Sequence, residues 1–119
     1  MVKRASDPAA RFFEELADRG HEPLLRKATG STRFDIVDGR RTRHWIVEVD
    51  RGDISVSTGA GEASCVLRAD KAVFDKVVAG RLNAVAAVLR GELEVEGDWR
   101  LLVRMQRLFP GRPRRRSAA

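Results

Sequence analysis

The chain opens on a helical pattern. Aspartate caps helix N-termini and proline suits the first helical position, so Asp7-Pro8 is a start signal. Phe12, Phe13 and Leu16 fall on one face, Arg11–Glu15 and Glu15–Arg19 are spaced for i,i+4 ion pairs, and Gly20 is a natural stop. After an irregular stretch through Pro23, the period changes to two. Phe34 and Ile36 alternate with Arg33 and Asp35, and Trp45, Val47 and Val49 alternate with His44, Ile46 and Glu48. Ile54 and Val56 begin a third strand, and Ser64 to Ala69 make a fourth. Asp38-Gly39 and Arg51-Gly52-Asp53 are turn signals, and this regular punctuation predicts an antiparallel meander.

The helical period then returns. Asp70 is placed to cap a helix carrying Val73, Phe74, Val77 and Val78, which Gly80 ends. Asn83 is placed to cap a shorter one through Val85, Val88 and Leu89. That short helix is apolar nearly all round, so it is expected either to be sandwiched or to face an apolar ligand. A strand pattern, Glu92 to Glu96, leads through Gly97-Asp98 into a last helix, which Pro110-Gly111 stops. In this helix Leu102, Met105 and Phe109 form a stripe widened by Leu101 and Leu108, with Arg100, Arg104 and Arg107 opposite. The order of helix, four strands, two helices, strand and helix predicts an α+β domain, one sheet covered on one face by helices.

Composition narrows the function. The 119 residues are one domain's worth, with a net charge of +6. The last nine residues carry four arginines and no acid, so the charge falls to +2 without them. The domain is therefore read as residues 1–111, followed by a basic, disordered tail over 112–119. The one cysteine, Cys65, excludes an internal disulfide framework, and the first residues lack an apolar signal core, so the expected location is cytoplasmic.

Catalytic chemistry finds little support. His21, His44 and Cys65 are spread over different elements, so no metal site is expected. Ser57 to Ser64 contains Gly-x-Gly, but no lysine follows and a strand comes next, so it is not a phosphate loop. Glu92, Glu94 and Glu96 alternate with Leu93 and Val95, as a solvated strand face does. The chain is not expected to be an enzyme. No recognition helix and no aromatic stacking platform set among basic residues stands out, so no specific nucleic-acid binding is expected either.

From Ala63 to Phe109 the order of residues is more specific. Val66-Leu67-Arg68-Ala69-Asp70 is followed by Phe74, Val78-x-Gly80-x-Leu82, Ala87, and then Arg90-Gly91-x-Leu93-x-Val95-x-Gly97-Asp98. This order resembles the sterol carrier protein domain, with a looser match from Phe34 to Val56, where Trp45 suits the central strand. The sequence departs from the family pattern at Ser64, where aspartate is frequent. The resemblance implies a five-stranded, mostly antiparallel sheet with an apolar tunnel between sheet and helices. It implies non-catalytic binding, and transfer, of a fatty acid, fatty acyl-CoA or sterol-like lipid, without a cofactor. Residues expected to line the tunnel are Phe34, Trp45, Val47, Phe74, Val77, Val85, Val88, Leu89, Leu102, Met105 and Phe109. A charge at Met105 is expected to abolish acyl binding more than it unfolds the domain. Arg100, Arg104, Arg107 and the tail are expected to meet anionic membrane transiently, and the protein to be a monomer or weak dimer. The alternative is an interaction module that uses the apolar groove for protein contacts or for a dimer.

Overall fold

The computed structural model describes residues 7–109, so the basic tail and the first six residues lie outside the described residues. Helix α1 runs Pro8–Arg19. Asp7 Oδ1 accepts the Ala10 N–H at 3.2 Å, and Gly20, at φ 69°, closes the helix by donating its N–H to Leu16 O. Arg11 pairs with Glu15 at 3.6 Å, but Arg19 turns forward to Glu22 at 3.1 Å instead of back to Glu15. A short 3-10 turn, Pro23–Leu25, then leads into the sheet.

Strands β1 (Thr29–Asp38), β2 (Arg41–Asp50) and β3 (Asp53–Thr58) form an antiparallel meander. Its second turn places Arg51 and Gly52 at φ 53° and 93°. Two positive φ values in a two-residue loop match the right-handed twist of the flanking strands. Strand β4 (Cys65–Asp70) does not continue the meander: it crosses the sheet and pairs with β1 in parallel. Strand β5 (Glu94–Gly97) completes the far edge, antiparallel to β4, giving the order β3-β2-β1-β4-β5. Alternation fixes which face a strand residue takes, not which strand lies beside it, so the fourth strand's partner was not readable from its pattern.

Helices α2 (Lys71–Val78), α3 (Ala84–Leu89) and α4 (Trp99–Met105) follow, with a 3-10 turn over Gln106–Leu108. Asn83 caps α3 and Asp98 caps α4 through their side chains, while Asp70 precedes α2 without a capping bond. The core lies between the sheet and α1, α2 and α4. Phe34 sits at its centre, paired across the sheet with Trp45 on one side and Leu67 on the other. Phe13, Phe34 and Phe74 are buried completely or nearly so, and meet at ring separations of 5.2 to 5.7 Å.

The opposite face of the sheet is polar, with one buried knot. Asp35 is buried, and its carboxylate accepts two hydrogen bonds from Arg33, at 2.9 and 3.1 Å, with His44 Nδ1 2.6 Å away. The same guanidinium donates to the carbonyl of Gly61 at 3.0 Å, so it fastens the β3–β4 crossover onto the sheet. Ser64 and Ser31 exchange three further hydrogen bonds at the end of that crossover. Burial pushes the Asp35 carboxyl up, but the bonds from Arg33 and His44 outweigh it and hold it below the usual carboxylate range.

Candidate functional site

One stripe of α1 builds one wall of a surface groove. Pro8, Arg11, Phe12, Glu15, Leu16 and Arg19 follow the i, i+3, i+4, i+7, i+8, i+11 spacing of a single helix face. Facing them are Val78 and Ala79 at the end of α2, and Arg107, Leu108 and Phe109 after α4. The groove holds about 520 Å3, within the ~300–1,000 Å3 usual for small-molecule sites. Its floor is apolar: Phe12, Leu16, Val78, Leu108 and Phe109. Its rim carries three arginines against one glutamate. Glu15 is engaged by Arg11 and Arg19 by Glu22, whereas Arg107 makes no ion pair among the described residues.

Packed aromatic rings connect the floor to the core. Phe12 and Phe109 stack at 5.2 Å with planes 17° apart, and both meet Phe74 edge-on at 6.0 and 6.2 Å. Behind them Phe13 stacks on Phe74 at 5.7 Å and on Trp45 at 4.6 Å. Edge and offset contacts of this kind favour the packed arrangement by about 0.5–1.5 kcal/mol each. A column of rings therefore runs from the groove floor to the sheet. A second depression of about 320 Å3 is lined by Val37, Ala69 and Val73 together with Arg68, Asp70, Glu92 and Glu94.

Of the lining residues expected from the sequence, Phe109 borders the groove. Phe34, Val47, Phe74, Val77, Leu102 and Met105 are buried in the core. Met105 is held there by the Thr32 hydroxyl, which donates to its sulfur at 3.1 Å. Trp45 is half-buried, stacked on Phe13 under the Arg43 guanidinium. Val85 and Val88 are half-buried on α3, and Leu89 is 83% exposed. Helix α3 is thus not sandwiched: it buries Ala84 and Ala87, packs Val88 partly against the core and leaves Leu89 in solvent. The α1 residues that line the groove are not among those expected from the sequence. Their signal was the Phe12/Leu16 face together with Pro8, Arg11, Glu15 and Arg19 along the same stripe.

Comparison with known proteins agrees with this architecture. The SCP-2 sterol transfer family matches residues 10–110. Hydroxysteroid dehydrogenase-like protein 2 of Xenopus laevis is 21% identical over 106 residues, which cover 87% of this chain and 25% of that protein. The chain thus spans about a quarter of that relative's length. Among solved structures, sterol carrier protein 2 of Yarrowia lipolytica in its apo form superposes with a TM-score of 0.72 at 20% identity, covering 91% of this chain and 92% of that one. Sterol carrier protein 2 of Aedes aegypti in complex with the C16 fatty acid palmitate gives 0.68 at 18% identity, covering 87% and 97%. At these identities the superpositions establish a shared α+β fold, and the family match over residues 10–110 establishes that this chain belongs to the SCP-2 sterol transfer family.

Proposed function

We propose that the domain binds an apolar lipid without catalysing its conversion, and that the α1 groove is where the lipid enters. The observation that carries this reading is the groove itself. It combines a floor of Phe12, Leu16, Val78, Leu108 and Phe109 with an arginine, Arg107, that no carboxylate of the described residues engages. A fatty acid matches both halves, its alkyl chain on the floor and its carboxylate at the rim. Removing the alkyl chain from water contributes about 0.8 kcal/mol per buried methylene, opposed by the cost of ordering the chain and the groove. The palmitate complex of the Aedes aegypti protein, which shares the fold, supports the same class of cargo. Because the space between sheet and helices is filled by Phe13, Phe34 and Phe74, a long chain passes the Phe12–Phe109 stack only if those rings rotate aside.

Native mass spectrometry tests the reading. Purified protein offered palmitate, palmitoyl-CoA or cholesterol is expected to take up one lipid at defined stoichiometry, palmitate in preference to cholesterol. A protein that stays lipid-free with all three, and sediments as a concentration-dependent dimer, would transfer the groove to protein contacts.

A further inference from the structure

We infer that α4 is an interfacial docking element, which sets the groove mouth against an anionic lipid surface. Its purpose rests on the lipid-binding reading, but its physical case stands on the helix itself. Leu101, Leu102 and Met105 are buried against the core, so the orientation of α4 is fixed. That orientation leaves Trp99 61% exposed and Val103 36% exposed. The two lie at i,i+4 and so share a strip of the outer face. Arg100 and Arg104 repeat that spacing beside them, and Arg107 continues the line. No acid occurs between Trp99 and Phe109. Arg100, Arg104 and Arg107 make no salt bridge among the described residues, whereas Arg11, Arg19, Arg33 and Arg43 each have a carboxylate within 4.0 Å.

A large indole left in water beside three uncommitted cations matches one kind of surface. Tryptophan places an apolar ring and a polar N–H at a membrane interface, and arginines with apolar stems meet anionic headgroups at the same depth. A nucleic-acid strand would instead favour several aromatic platforms set along a basic groove, and here a single indole has an aliphatic neighbour. No helix of the described residues is long and apolar enough to cross a membrane, so the contact that α4 makes is peripheral. Arg107 belongs both to this face and to the groove rim. Docking through α4 therefore brings the groove entrance to the source of an apolar cargo.

The test uses the full chain and vesicles of phosphatidylcholine, with or without about one-third phosphatidylserine. Co-sedimentation is expected to strengthen about tenfold or more with phosphatidylserine and to weaken with salt. Arg100→Glu/Arg104→Glu is expected to remove most of that gain while palmitate uptake in solution stays unchanged. A separate variant, Arg112→Ala/Arg114→Ala/Arg115→Ala/Arg116→Ala, controls for the basic tail. In a Trp45→Phe background Trp99 is the only tryptophan of the chain, and its emission is expected to shift to the blue on docking. Full binding by the Arg100/Arg104 variant, loss of all binding in the tail variant, or a Trp99 emission blind to vesicles would each overturn the proposal. Docking without palmitate uptake would leave it standing and remove the cargo reading alone.

Discussion

Asp35 shows how one residue can hold a loop. It sits on the polar face of the sheet, yet it is buried, and Arg33 bridges it to the crossover carbonyls of Ala60 and Gly61. Asp35→Asn leaves Arg33 without its charged partner and is expected to cost about 2–3 kcal/mol, in the range for hydrogen bonds to charged groups. Because the folded state holds this carboxyl below its ordinary range, its contribution is complete above about pH 4 and is lost as pH falls through the lowered value. Urea unfolding across this range is expected to show a gap between native and variant proteins that closes on acidification. An undiminished gap at low pH would deny the carboxylate its role. Met105 changes standing in a similar way. It is 1% exposed and hydrogen-bonded to Thr32, so Met105→Arg buries a charge and is expected to unfold the domain, making it a stability probe and not a test of the groove. The sequence put His44 on the polar side of its strand, but the Asp35–His44 pairing depends on hairpin register, which alternation alone leaves open.

Among the elements, the edge strand depends on its closing glycine. Gly97 lies at φ 90°, and a Cβ there would collide with the Ser64 carbonyl. Gly97→Ala is therefore expected to cost about 1–3 kcal/mol and to lower the melting temperature by several degrees. Gly20 is the contrast: it too has positive φ, but nothing lies within 4 Å of its Cβ position. Gly20→Ala is expected to cost only the left-handed backbone penalty, about 1–2 kcal/mol. Equal melting temperatures for Gly97→Ala and the native protein would mean that the strand end can shift freely. The order of helices and strands was legible from period and from end signals: Asp7-Pro8 and Gly20 for α1, Asn83 for the short apolar α3, Gly97-Asp98 between β5 and α4. The parallel placement of β4 was not, since it is set by the crossover that Arg33, Ser31 and Ser64 fasten.

At the scale of the whole molecule, apolar surface is divided between a closed core and an open groove. Sequence patterning marks apolar residues but not which of them face an opening, because core and pocket walls draw on the same residue types. Phe34, Phe74 and Met105 went to the core, while the less conspicuous stripe of α1 met Leu108 and Phe109 across the groove. Phe109 is half-buried and stacks on Phe12, so it can be altered without emptying the core. The most direct measurement is calorimetric titration of palmitate into the native protein and into Phe109→Asp, with the melting temperature of each recorded. Native protein is expected to bind one palmitate, and the variant to bind at least about tenfold more weakly while its melting temperature falls by only a few degrees. Equal affinities in two folded proteins would contradict the groove as the lipid's entrance.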